Sequence, residues 1–271
     1  MGQIVAHMSE VQWARLSAPE LGVLAGKDAV VILPVGSIEQ HGPHLPVDVD
    51  SRLVHEVSVR AAGLAPPERP VVVAPTVSVG LAQHHMSFGG TLTLDFSTFH
   101  ALLRCIVESM LHCGFRKIAM VNGHGGNTNP LKVVVNELAR EFDAPFVSCT
   151  YWDLADSAFR EILDVQRCVM HGGEVETSLM LAVAPELVRL DRLEGIDPPS
   201  FEGDEDPFEA AFYRSLDMDE LSESGVLGSP LSASVEKGER LLAAAAEALS
   251  GRLLEPDTWT RKKPAARRAG S

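Results

Sequence analysis

Along the chain, short runs that are apolar at nearly every position alternate with stretches in which apolar residues return every three or four positions. Val30-Val31-Ile32-Leu33-Pro34-Val35, Val71-Val72-Val73-Ala74-Pro75, Ile118-Ala119-Met120-Val121 and Pro145-Phe146-Val147-Ser148 are of the first kind and predict strands. Residues 96–111 are of the second kind. Phe96, Phe99, Leu102, Leu103, Ile106, Val107 and Met110 fall on one face of a helix. Residues 52–63 also read as helical. Thr128 or Asn129 can cap another helix, with Pro130 at its first position and Leu131, Val134, Leu138 and Phe142 along one face. A fourth helix runs through Leu179, Met180 and Leu181, opened by residues 170–178.

Strands without a polar face, separated by amphipathic helices, imply an α/β fold: one domain with a mostly parallel central sheet flanked by helices on both faces. In such sheets, sites form beyond the carboxyl ends of the strands. Glu39 and His41 follow the first predicted strand, His124 the third and Trp152 the fourth. Three polar clusters should therefore meet at one edge of the sheet.

Composition narrows the function classes. The chain has 271 residues, 45% of them hydrophobic, which is enough for one large α/β domain. The domain is expected over residues 1–255, followed by a tail, 256–271, whose basic end at 261–271 (RKKPAARRAGS) is expected to be disordered. Against 23 basic residues stand 37 acidic ones, a net charge of −14. That balance argues against nucleic acid and against an anionic membrane as partners; its plain reading is solubility. Cys105, Cys113, Cys149 and Cys168 form no C-x-x-C pair and are expected to be buried free thiols in a reducing compartment. No N-terminal apolar segment or membrane-length apolar span is apparent, so a soluble cytoplasmic protein is expected. Residues 200–224 are acidic and mixed, and predict a loop with a short helix that could lie over the site.

The candidate chemistry lies in three stretches. The first holds Glu39, His41, His44 and Asp50, the second His124 in a glycine-rich turn, and the third His171, Glu174 and Glu176 at a helix start. Singly, each has an ordinary reading: a polar turn, a tolerated loop histidine, acidic residues complementing a helix dipole. Together they place carboxylates and imidazoles where a pocket is expected. Glu39 and His41, two apart, point the same way on extended backbone. Glu39, Asp50 and Glu174 supply three negative charges, which two divalent cations and a bridging hydroxide would neutralise. Such a pair lowers the pKa of its bound water.

The motifs P-V-G-S-I-E-Q-H-G-P-H-L-P-V-D-V-D (34–50), F-G-G-T-L-T-L (88–94), N-G-H-G-G-N (122–127) and H-G-G-E-V-E-T-S-L-M-L (171–181) resemble those of the creatininase family of metal-dependent amidohydrolases. The resemblance runs from about residue 9 to 250 and takes in residues 225–240, with G-V-L-G-S-P and E-K-G-E-R. It implies a single α/β domain with two divalent metal ions, zinc first, with manganese or iron as alternatives. It also implies a small-molecule amide substrate and a homo-oligomer, often a hexamer. Carried over, Glu39, Asp50 and His124 would hold one metal. His41, Asp50 and a further carboxylate would hold the other, with Asp50 bridging.

Gly126 stands where the family's namesake enzyme has a glutamate, so the fifth ligand is assigned to Glu174, the glutamate that many relatives with the H-G-G-N form carry in the later motif. His171 matches the family's proton-transfer residue; capping its helix or orienting Glu174 is the other reading. Glu176 is expected to brace the site by hydrogen bonding, and His44 to orient a ligand. His84, His85, Ser87 and Trp152 are assigned to the substrate pocket. Arg167 and Met170 replace an aromatic flap residue and a glutamate of the namesake enzyme, which implies a substrate other than creatinine. The expected reaction is hydrolysis of a C–N bond in a cyclic or small linear amide. A peptidase of the same family, acting on a modified peptide precursor, and a non-catalytic metal-binding or assembly protein are the alternatives.

Overall fold

The computed structural model describes residues 10–196 and 214–260. In chain order its main elements begin with α1 (Ala18–Gly26), β1 (Val30–Val35), α2 (Val49–Gly63), β2 (Val71–Val73), α3 (Phe96–His112) and β3 (Lys117–Asn122). They continue with α4 (Thr128–Glu141), β4 (Phe146–Thr150), α5 (Tyr151–Leu154), α6 (Asp156–Ile162), α7 (Glu174–Val183), α8 (Met218–Leu221) and α9 (Val235–Leu254). The four strands form one sheet in the order β2-β1-β3-β4, and every pairing is parallel. Val30 lies opposite both Val71 and Lys117, and Ile118 opposite Phe146.

Successive side chains along a strand face opposite ways, and the core divides accordingly. Val30, Ile32, Val71, Val73, Ala119 and Val121 point to one face, against Leu53 and Val57 of α2, Leu179 of α7 and Leu241, Leu242 and Leu249 of α9. Val31, Leu33, Val72, Ile118 and Met120 point to the other, against Leu24 of α1, Phe99 and Leu103 of α3, and Leu131 and Leu138 of α4. Because both faces are covered, β1, β2 and the interior of β3 carry no polar side and read as continuous apolar runs; the edge strand β4 sets Ser148 and Thr150 on one face.

Local chemistry sets the helix ends. Asp95 caps α3 by accepting from the Thr98 N–H at 2.8 Å, and Ser234 caps α9 by accepting from Lys237 N–H at 3.2 Å. Two boundaries differ from the sequence reading in ways that matter. Helix α2 begins at Val49 rather than at residue 52, which puts Asp50 in its first turn. Helix α4 is flanked by Asn127 and has Pro130 as its third residue, not its first. Helix α9 was not predicted, although Leu241, Leu242, Ala245, Ala246, Leu249 and Leu253 bury one face of it.

Residues 256–259, assigned to the tail, form a turn instead, and Trp259 Nε1 donates to the Leu253 carbonyl at 2.9 Å. The basic segment 261–271 lies outside the described residues, as does 200–213 of the acidic segment. The expected burial of the thiols is not found at Cys105 and Cys113, which are exposed. Among the described residues no helix is long and apolar enough to cross a membrane.

Candidate metal centre

Beyond the carboxyl ends of β1 and β3, four structural pieces bring their polar side chains together. The loop after β1 contributes Glu39 and His41, and the first turn of α2 contributes Asp50. His124 follows β3, and Glu176 comes from the first turn of α7. All five are buried. Their potential ligand atoms form two groups, Glu39–Asp50–His124 and His41–Asp50–Glu176, which share Asp50; Glu39 and His41 form a third with His171, and in each group the atoms lie within 4.8 Å of one another.

The histidine tautomers show what the centre is shaped to hold. His124 Nε2 lies 3.1 Å from the Leu81 carbonyl, to which it donates. Its Nδ1 is then turned toward Glu39 Oε2 at 2.9 Å and Asp50 Oδ2 at 3.1 Å. His41 Nδ1 donates to the Glu39 carbonyl at 3.1 Å, leaving Nε2 facing Asp50 Oδ1 at 3.1 Å and Glu176 Oε2 at 3.6 Å. In the neutral imidazoles these inward nitrogens are lone pairs set against carboxylate oxygens, which repel unless a cation lies between. Glu39 Oε2, His41 Nε2 and Asp50 Oδ2 are buried with no hydrogen-bond partner. The donor set therefore fits a divalent cation, with each ligating histidine oriented from behind by a backbone carbonyl.

The proton affinities carry the same signature. Burial alone would depress His124, but the carboxylates of Glu39 and Asp50 outweigh it and push the imidazole up to about 10. His41 likewise rises well above its ordinary value, because Glu176 and Asp50 override its burial. Burial and the neighbouring Asp50 charge raise Glu39. Asp50 falls far below the usual carboxylate range, since His41 and His124 outweigh its burial. The carboxylates thus favour positive charge at both imidazoles, the charge that bound cations would supply.

The assignment of Glu174 as the fifth ligand is corrected by this geometry. Its carboxylate is turned away from the cluster and accepts from the backbone N–H groups of Asp164, Val165 and Gln166 at 3.0, 3.2 and 3.1 Å. It also pairs with Lys237 Nζ at 2.5 Å. Glu176, expected only to brace the site, faces His41 and Asp50. The reason is helical: α7 starts at Glu174, so residues 174 and 176 lie about 200° apart around its axis and cannot face one centre. Glu176 Oε2 also accepts from the Gly172 N–H at 2.6 Å.

His171 lies beside the cluster, with its ring centroid 4.1 Å from that of His41. Its Nε2 donates to the Gln40 carbonyl at 2.6 Å, and its Nδ1 lies 3.5 Å from Glu39 Oε1. Burial and the His41 charge hold it well below the ordinary imidazole value. His44 does not touch the cluster and instead bonds Thr177 Oγ1 through Nε2 at 2.9 Å. His84 stacks on His124 with centroids 5.6 Å apart. A Cβ at Gly126 would lie 2.5 Å from His124 Nε2 and from the Leu81 carbonyl oxygen, so only glycine leaves room for this ring.

The centre opens into a cavity of about 770 Å³. His84, His85 and Trp152 line it, with Leu81, Val169, Met170, Leu216 and Leu227 among the apolar contributors. Ser87 is exposed and does not line it. Residues 215–218, within the acidic segment, form part of the wall. Among the described lining residues there is no lysine or arginine. Gln40, which the motif reading passed over, sits between Glu39 and His41 in the chain and bonds to both His85 and His171.

Buried carboxylates and imidazoles at the carboxyl ends of a parallel sheet, beside a cavity, form a candidate metal centre open to a substrate. Residues 14–253 match the family model of creatininase, described as creatinine amidohydrolase. A mycofactocin precursor peptide peptidase of Mycolicibacterium smegmatis is 36% identical over 220 residues, covering 79% of this chain and 80% of that protein. A creatinine amidohydrolase of Pseudomonas putida is 31% identical over 265 residues, 92% of this chain and 96% of that protein. A creatininase mutant described as Zn-Zn type superposes with a TM-score of 0.75 at 29% identity, over 89% of this chain and 96% of the other. The chain belongs to the creatininase family.

Proposed function

We propose that this creatininase-family hydrolase binds two divalent cations, zinc first, and cleaves an amide bond in a peptide segment or an amide of comparable size. The observation that carries the reading is a pair of ligand groups sharing Asp50 at the floor of a cavity of about 770 Å³. That volume suits a drug-sized molecule or several peptide residues. A creatinine-sized ring would leave most of it to water.

Glu39, Asp50 and His124 would hold one cation, and His41, Asp50 and Glu176 the other. When bound, the metals lower the pKa of water and polarise the scissile carbonyl. The chain's own residues do the rest. Three buried carboxylates supply the charge that retains the cations, and backbone carbonyls hold His41 and His124 with the ligating nitrogen inward. His171, with Nε2–H committed to the Gln40 carbonyl, keeps Nδ1 free toward the centre. That nitrogen can take a proton from the attacking water and return it to the leaving nitrogen as the C–N bond breaks. Trp152, Val169, Met170 and Leu227 give the substrate an apolar wall and limit water access.

The second reading is hydrolysis of a small cyclic amide, favoured by Trp152 on the cavity wall and by the long alignment with the P. putida enzyme. A homo-oligomer is the expected assembly, supported by exposed apolar side chains at Met86, Leu92 and Phe96. The deciding experiment assays zinc-loaded protein against short peptides, lactams, cyclic ureas and formamides, with chelated protein as the control. Turnover of peptides alone supports the first reading and turnover of cyclic amides alone the second. Activity that survives complete removal of metal would overturn both.

A further inference from the structure

We propose that Gln40 is a positioning residue, whose amide sets the tautomer of His85, thereby aims Glu39, and ties the 222–228 turn to the metal centre. This rests on the reading of Glu39 as a ligand. Gln40 lies between Glu39 and His41 in the chain and belongs to none of the candidate ligand groups. Its Oε1 accepts from the Gly42 N–H at 2.8 Å, which fixes the orientation of the amide. Its Nε2 then lies 3.0 Å from the Gly225 carbonyl, 3.0 Å from His85 Nδ1 and 3.1 Å from His171 Nε2.

An amide nitrogen has two hydrogens, and three neighbours compete for them. His171 Nε2 drops out, because at 2.6 Å from the Gln40 carbonyl it must carry a proton and cannot accept. The two hydrogens therefore go to the Gly225 carbonyl and to His85 Nδ1. With Nδ1 accepting, a neutral His85 carries its proton on Nε2, 3.2 Å from Glu39 Oε1. That bond occupies one carboxylate oxygen of Glu39 and turns the other, Oε2, toward His124 and the centre. One glutamine thereby determines which oxygen of Glu39 is free.

The same amide reaches the cavity wall. Gly225 has a φ of +74°, and any Cβ there would overlap the Gln40 amide, so the turn approaches as only glycine can. Leu227 of that turn lines the cavity, and its N–H donates to the His171 carbonyl at 2.9 Å. Gln40 thus joins a ligand, the proton-transfer histidine and a wall segment through one side chain and its own carbonyl.

The test uses protein labelled with ¹⁵N-histidine, Gln40→Met, and Gly225→Ala as a variant that disturbs the same amide from outside. Metal-free wild type should show His85 protonated on Nε2 and accepting at Nδ1. Gln40→Met should lose that single tautomer and bind zinc ~10–100-fold more weakly in chelator competition, the range for a partner that orients a ligand. Its circular dichroism should stay that of wild type. Gly225→Ala should weaken zinc in the same direction, and gives the answer if Gln40→Met does not fold. A wild-type His85 protonated on Nδ1, or variants that retain both tautomer and zinc affinity, would overturn the proposal. If wild type binds no zinc at all, the metal-centre reading fails, while the tautomer measurement still decides the role of Gln40.

Discussion

Glu174 and Glu176 stand two residues apart in one motif, and substituting each by glutamine should produce opposite phenotypes. Glu174 is buried, accepts from three backbone N–H groups and pairs with Lys237, which also reaches Asp164 Oδ2 at 2.7 Å. Glutamine keeps one acceptor oxygen but presents an NH₂ where donors converge, so at least one buried N–H loses its partner. Bonds to charged groups contribute roughly 1.5–3 kcal/mol against 0.5–1.5 for neutral ones, and an orphaned donor costs about 1–3 more. Asp164 retains part of the Lys237 interaction. The net expectation for Glu174→Gln is about 2–4 kcal/mol of lost stability, or roughly 5–15 °C in melting temperature for a domain of this size. Two zinc ions should still bind at saturation.

Glu176→Gln should do the reverse. The amide oxygen can still accept from Gly172 N–H, so folding changes little, but a ligand charge is gone. Partners that merely orient ligands cost 10–100-fold in affinity, and a ligand should cost at least ~10-fold. The assay is thermal denaturation of both variants alongside zinc stoichiometry by elemental analysis and affinity by chelator competition. If Glu174→Gln lost one zinc with unchanged melting while Glu176→Gln kept both, the geometry described here would be refuted.

Asp50→Ala should empty both ligand groups, since they share that carboxylate, and elemental analysis should find at most a small residue of metal. His171→Asn should keep zinc affinity and lose ~10²–10⁴-fold in kcat, the usual range for a general acid–base; rescue of its rate by excess metal would point to a scaffolding role instead. Chelation should lower the melting temperature of wild type, because zinc at 100 times its Kd stabilises the native state by about 2.7 kcal/mol. Asp50→Ala should show no such shift. Leu103→Ala, in a fully buried position on α3, should cost about 2–5 kcal/mol without changing metal content, read by denaturant midpoint and elemental analysis.

Local signals made much of this protein legible without coordinates. The four apolar runs are the four strands, because a strand covered on both faces shows no alternation. Helix α3 follows from its apolar period, and the meeting of Glu39, His41 and His124 at one edge of the sheet from where the strands end. Long motifs supplied the family. Helix α9 was missed although its apolar period is present at 241–253, because its alanines weaken the contrast between faces.

Tertiary structure alone decided the remainder. Whether residue 174 or 176 faces the centre depends on the residue at which α7 begins and on the 100° step per residue, which no count of spacings from His171 supplies. The anchoring of Glu174 requires a loop at 164–166 and a lysine 63 residues away, brought near only by packing of α9 on α7. Ser87 carries a pocket-type residue next to two histidines that do line the cavity, yet the local turn leaves it in solvent. Gln40 meets the carbonyl of Gly225, 185 residues along the chain, a contact no local pattern announces. Residue type and local period report what a side chain can do and which face it occupies. Which partner it meets is set by long-range packing, where about 200° of helix phase separate a carboxylate that faces the cluster from one held in a structural ion pair.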